Sequence, residues 1–333
     1  MVRTDLMPRT TRGTGHAHAK AILIGEHTVV YGLPAIAVPL PDLSVHASAY
    51  WANKTAPQDN SPGSSATPDD PIDEFDYRFS GSEIAESRSG AAIAVGEALL
   101  RWGYADTAVY GSVHGNFPAA RGLGASAAGA AAAVRAVADL CGRNLDDRTL
   151  YELIQCGERR THGRASGVDA ATVLSHRPIR FQAGVTSPIA IGLDATLVVG
   201  DSGAAGSTWR AVNVVKGILQ QADGTAHRLL DRAASCIDAA TIDLTEGRAR
   251  ELGARLNEFH DVLTELGVST PAIDDLVTAA RRTGALGAKL TGGGLGGCVL
   301  ALATDADAAA VAGAMRSAGA VRTWIVSTRS WSS

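Results

Sequence analysis

The segment that most constrains this chain is one in which a loop becomes a helix: Pro118-Ala-Ala-Arg121-Gly122-Leu123-Gly124-Ala125-Ser126-Ala127-Ala128. Two glycines precede a start made of small residues, so main-chain N–H groups can approach and cradle an anion. The first-turn donors and the helix dipole add to that attraction. The same residues also suit a tight loop whose glycines only permit close helix packing. A second cluster, Lys289-Leu-Thr-Gly-Gly-Gly-Leu-Gly-Gly-Cys298, places five glycines in six positions: Gly292, Gly293, Gly294, Gly296 and Gly297. Such a run costs backbone entropy, which favours close approach to a ligand or to another loop as its reason. Two glycine-rich loops from separate domains suggest a cleft between them.

Neither cluster is a standard nucleotide fingerprint. The pattern G-x-x-x-x-G-K-[ST] occurs nowhere, so this is not a P-loop NTPase. Gly122-x-Gly124-x-x-Ala127 imitates a dinucleotide motif and Gly292-x-Gly294-x-x-Gly297 matches one. The second runs into CVLALA, which reads as strand where a helix is required. The first lacks an acidic residue at the end of a following strand, since Asp139 sits within its own helix. An NAD-dependent oxidoreductase is set aside on these contexts.

The 333 residues imply about two domains, and 46% apolar against 19% charged residues gives each a core. A net charge of −4 with mixed signs argues against nucleic acid as main partner. Cys141, Cys156, Cys236 and Cys298 form no C-x-x-C pair and read as reduced, buried thiols. The N-terminus has no apolar h-region and no 18 apolar residues run together, so a soluble cytoplasmic protein is expected.

Residues 1–14 read as a disordered lead, and from His16 the text becomes strand-like: AHAKAILI, the turn GEH, then TVVYG and LPAIAVPL. A lysine, Lys20, stands out in the first of these apolar runs. The stretch 53–71 reads as a polar surface loop. Helices are expected near 89–102, over 147–162 with a stripe of Leu150, Leu153, Ile154 and Gly157, near 247–266, 271–284 and 305–318. Strands are expected near 107–115, at TLVVGDSG (196–203), after a turn-rich join, and at the closing VRTWIVST. Without strict alternation this is an α+β pattern, and we divide it into domains at 1–190 and 191–333.

Two carboxylates invite opposite readings. Asp169 stands three residues after Ser166, so the pair reads equally as a capping box or as a catalytic carboxylate. Glu158, at the edge of its helix's apolar stripe beside Arg159 and Arg160, is as compatible with a surface ion pair as with a site role.

With these residues in view, AHAKAILIGEHTVVYG, PAARGLGASAAG and KLTGGGLGGC resemble, in order, the three signatures of the GHMP superfamily of small-molecule kinases, which includes galactokinase, homoserine kinase, mevalonate kinase and phosphomevalonate kinase. Gly25–Gly32, GERRTHGRASGVDA (157–170) and DSGAAGSTWRAV (201–212) resemble its mevalonate-phosphorylating branch. The resemblance implies a two-domain GHMP-kinase-like fold with the active site in the cleft between domains, and ATP-dependent phosphorylation of the 5-hydroxyl of (R)-mevalonate. The nearest alternative is another kinase of the superfamily, such as one acting on phosphomevalonate. It further implies Asp169 as catalytic acid with Lys20 beside it, and the segment from Pro118 and Arg121 to Ala127 together with the glycines at 292–297 as the phosphate-binding loops. Ser126 and Glu158 are implied as ligands of magnesium, the cofactor expected with ATP; Glu26, His27 and Thr208 are implied on the mevalonate side. No nucleic acid or membrane partner is expected, and a homodimer is compatible with the resemblance. One departure is visible: Ala125-Ser126 stands where the family often has two serines.

Overall fold

Helices and antiparallel strands follow one another without strict alternation in this computed structural model, which describes residues 11–51, 75–80, 89–105, 107–162, 166–221 and 224–331. The polar loop over 53–71 and residues 1–10 of the expected lead lie outside the described residues. The chain folds into two compact units, each assembled from separated stretches.

One unit takes the chain up to Ala19, Leu43–Ala119 and Ala125–Ala165. Its centre is α2 (Ala125–Leu140), buried at every position except Ser126, Arg135 and Asp139. Alanine gives such a helix neither bulk nor polarity, so its neighbours can close on it from all sides. β1 (Arg12–Ile24) begins against it: the Thr14 N–H donates to Asp139 Oδ2 at 2.8 Å, and Arg135 donates to the His16 carbonyl at 2.7 Å. Arg12, Gly13 and Thr14, expected in the disordered lead, belong to β1, because glycines 13 and 15 let the strand lie flat on α2. α1 (Gly90–Arg101) and α3 (Asp147–His162) complete the helical layer and approach most closely at Gly90 and Gly157. The predicted stripe of α3 is buried throughout. The C-terminal half of β2 (Ala35–Trp51) pairs with β4 (Val109–Gly115), from Val45↔Gly115 to Trp51↔Val109, and β4 pairs in turn with β3 (Phe75–Ser80).

The other unit gathers Lys20–Asp42, Ala120–Gly124 and the chain from Ser166 onward. Residues Ala35–Ala37 of β2 pair with β5 (Ile179–Gln182), which pairs with β6 (Val185–Pro188). These two short strands occupy what reads in the sequence as a turn-rich join. A separate antiparallel sheet runs in the order β10 (Arg322–Ser327), β7 (Thr196–Asp201), β9 (Cys298–Ala303), β8 (Gly287–Thr291). Every residue of β7, β8 and β9 is buried, which explains the apolar runs LVVG and CVLALA and buries Thr196, Asp201, Lys289 and Thr291 with them. α7 (Ala249–Glu265) and α8 (Pro271–Arg282) pack on β8, and α9 (Ala308–Ser317) packs on β7 and β10. The start of α8 is written locally: Thr270 Oγ1 accepts from the Ile273 N–H, Pro271 opens the first turn, and Arg281 and Arg282 close the last.

One expectation is corrected in this unit, and two helices stand where none is read from the sequence. TVVYG reads as strand, yet Thr28–Tyr31 is a 3₁₀ turn held between His27 (φ 61°) and Gly32 (φ 90°), conformations that no strand can contain. Between 204 and 246, where the sequence pattern suggests no element, stand α5 (Thr208–Leu219) and α6 (Thr225–Thr245). The buried stripe of α6, Leu229, Ala233, Cys236, Ile237, Ala240 and Leu244, is half alanine and cysteine, which mutes its apolar period. All four cysteines are free; three are buried, while Cys156 is only partly so, short of the expected burial. Among the described residues no helix is long and apolar enough to cross a membrane.

Candidate active site

β1 carries Lys20 into the second unit with only 1% of the residue exposed. Its Nζ lies 2.7 Å from Asp169 Oδ1 and donates to the Gly122 carbonyl at 3.2 Å, while its own N–H donates to the Leu123 carbonyl at 3.0 Å. Asp169 sits in the first turn of α4 (Val168–Val173), with 38% of its side chain open to solvent. The capping-box alternative does not form: the N-cap is Gly167, without a side-chain cap, and Asp169 reaches the lysine instead. The pair thus presents a reachable carboxylate acceptor beside a fixed positive charge.

The glycine loops explain themselves by proximity. Gly122 and Gly292, each with φ 80°, stand back to back. A methyl on Gly122 would lie 2.7 Å from the Thr291 carbonyl oxygen, and one on Gly292 would lie 2.5 Å from the Gly122 Cα. Gly124 leaves room for the lysine stem, since a methyl there would meet Lys20 Cγ at 2.8 Å. Arg121 ties this loop to the next: Nε donates to Asp201 Oδ1 at 2.9 Å and Nη2 to the Gly203 carbonyl at 3.1 Å. A cavity of about 50 Å³ remains, lined by Ala120, Arg121, Gly122, Gly206, Thr208, Thr291 and the glycines 293, 294, 296 and 297.

In the first unit Ser126 Oγ, on α2, donates to Glu158 Oε1, on α3, at 2.6 Å. Glu158 is 8% exposed, so the surface-ion-pair reading fails. Pro118, Ala125 and Ala127 are buried around the start of α2. Among the described residues no group of three or more His, Cys, Asp or Glu could hold a metal ion. A carboxylate and a hydroxyl at this spacing nevertheless suit magnesium, which takes hard oxygen donors and retains several waters alongside phosphate oxygens.

At the end of β1, Glu26 and His27 are 1% and 7% exposed. Glu26 Oε1 forms an ion pair with Lys289 Nζ, which is fully buried and also donates to the carbonyls of Ile22 (3.3 Å) and Leu290 (2.6 Å). Burial pushes the Glu26 carboxyl up and the Lys289 ammonium down, and each partner's charge opposes the effect. Burial lowers His27 to about 4 against a hydrogen bond with the Gly293 backbone, and the Lys289 charge lowers it further. Lys289 and Asp201 escape the sequence reading, although a lysine inside the apolar run GAKLT is the same signal that marks Lys20.

Residues 89–177 match the family model for the GHMP kinases N terminal domain, and residues 240–321 the one for the GHMP kinases C terminal region. The mevalonate kinase of Thermococcus sibiricus is 34% identical over 317 residues, 91% of this chain and 92% of its own. That of Pyrococcus horikoshii is 33% identical over 299 residues, 86% and 87% of the two chains. The crystal structure of L. major mevalonate kinase in complex with R-mevalonate matches with a TM-score of 0.77 at 27% identity, covering 98% of each chain.

Proposed function

The chain belongs to the GHMP kinases, among their mevalonate kinases, and on that footing we propose that it transfers the γ-phosphoryl group of ATP to the 5-hydroxyl of (R)-mevalonate. The single observation that carries the chemistry is the contact between Lys20 and Asp169. An alcohol is a poor nucleophile, and a positioned carboxylate assists by accepting its proton as the bond to phosphorus forms. In this step the 5-oxygen bonds to the γ-phosphorus, the bond from phosphorus to the bridging oxygen breaks, Asp169 takes the hydroxyl proton, and ADP leaves. Lys20 orients the carboxylate and opposes the negative charge that builds on the transferred group. Main-chain N–H groups of 122–126 and of the glycines from 292 onward hold phosphate oxygens, and Thr208 and His27 face the alcohol.

Ser126 and Glu158 would hold magnesium on the ATP phosphates. The ion's contribution, when bound, is to neutralise phosphate charge and keep the phosphates in line. We place the reaction in the cytoplasm, where both substrates are in solution. The test is ADP release with mevalonate, phosphomevalonate, homoserine and galactose offered in parallel. Mevalonate should turn over fastest, and faster turnover of any other alcohol overturns the assignment.

A further inference from the structure

Phosphoryl transfer as described uses the main chain of the loop around Arg121 and leaves that residue's guanidinium without a part. The side chain is nevertheless fixed at two points: Nε donates to Asp201 Oδ1 at 2.9 Å and Nη2 to the Gly203 carbonyl at 3.1 Å. Asp201 is 2% exposed, and its Oδ1 also accepts the Gly203 N–H at 2.8 Å. Two donors in one rigid plane thus grip the carboxylate and the carbonyl of a single turn, setting its orientation as well as its distance. Stability alone is a weak reason for a charged pair in such a place, because apolar residues of similar volume often serve as well.

What the grip holds is the segment that leads into Thr208. Gly203, Ala204 and Ala205 are exposed, and α5, which follows, buries only Ala211 and Val215 of its 12 residues. A helix so lightly packed does not fix its own first residue, so Thr208 stands where the preceding segment puts it. That segment is threaded between the two glycine loops. The Gly206 N–H donates to the Ala120 carbonyl at 2.9 Å, the Gly297 N–H to the Ala204 carbonyl at 2.8 Å, and Ser202 Oγ to the Gly297 carbonyl at 2.7 Å. Arg121 adds a charge-assisted contact from the same loop as Ala120, and both line the cavity with Gly206 and Thr208. We infer that Arg121 is a positioning residue for the alcohol substrate: its guanidinium, pinned on Asp201 and the Gly203 carbonyl, holds the segment 201–206 and so sets where Thr208 stands, without donating to the phosphates. The inference rests on the mevalonate kinase reading, which puts the alcohol at Thr208.

The test compares two variants with the parent enzyme: Arg121→Lys, and Arg121→Met combined with Asp201→Asn. Lysine keeps a charge for the buried carboxylate but loses the fork. The combined variant leaves no buried charge unmatched, and its amide keeps an acceptor for the Gly203 N–H, so it is the one suited to fold should the lysine variant fail. Hydrogen exchange over 202–210 should speed at least about tenfold in either variant while β7 and β9 keep parental protection. KM for mevalonate should rise about tenfold, with KM for ATP within about twofold, at a temperature where circular dichroism reports a folded protein. In a Thr208→Ala background the same changes should move KM for mevalonate by less than about a further twofold, because the side chain they displace is already gone. Unchanged exchange, or faster exchange with unchanged KM for mevalonate, overturns the inference. So does a rise in KM for ATP as large as that for mevalonate, which would make Arg121 a phosphate ligand. A full rise in KM for mevalonate in the Thr208→Ala background overturns it too, since that marks a merely structural arginine. If the parent fails to phosphorylate mevalonate, the kinase reading falls, while exchange over 202–210 still decides whether Arg121 holds the segment.

Discussion

At Asp169, replacement by asparagine separates chemistry from folding. No helix cap depends on this side chain, but the buried Lys20 loses its counter-charge, so Asp169→Asn is compared with the parent at a temperature where both are folded. The amide keeps the shape but cannot accept a proton, so kcat should fall by about 10²–10⁴ while ATP binding survives. Steady-state kinetics with a separate nucleotide titration measures both, and a kcat within about threefold of the parent would remove Asp169 from the reaction. Ser126→Ala and Glu158→Gln should weaken the metal–nucleotide complex, with defects that shrink as magnesium is raised at fixed ATP; defects indifferent to magnesium would break the assignment. Much of this constellation is legible in the sequence, because a lysine in an apolar strand and a serine at a glycine-rich helix start are locally odd. Asp201 is not legible in this way. An aspartate beside glycine looks like any turn residue, and only the fold brings Arg121 to it.

Among the elements, the glycine loops are the least tolerant of change. Gly122→Ala and Gly292→Ala each force a left-handed residue and press a methyl on the opposite backbone. Each should cost on the order of 1–3 kcal/mol in urea unfolding and weaken nucleotide binding as well. Parental stability with parental ATP affinity in both variants would mean that the loops tolerate side chains. Helices that bury one clear face, such as α3 and α8, are legible nearly to their ends, since their apolar period is clear. α6 is not, because small residues fill its buried stripe, and the 3₁₀ turn is not, because nothing in TVVYG announces the glycines and His27 that bend it.

For the whole molecule, acidity is the weak point. Burial lowers both His27 and His260 from 6.5 to about 4. The unfolded chain takes up protons near 6.5 and the native one only near 4, so stability is lost as pH falls between those values. The urea midpoint should be lower at pH 5 than at pH 7.5, and His27→Gln or His260→Gln should each flatten that dependence. A pH-independent midpoint in the parent would mean that neither ring is held neutral. The interleaving of the units has another kind of outcome, one in time. The chain passes between them five times, at 19/20, 42/43, 119/120, 124/125 and 165/166. Within the second unit, Ile22 waits for Thr291, which is made 269 residues later. At ribosomal speeds of about 5–20 residues per second, that delay is roughly 13–54 s. Throughout it, β1 can already pair with β2, but the Ile22 N–H and carbonyl lack the Thr291 hydroxyl that bonds both, and any chain truncated before Thr291 never acquires that tie.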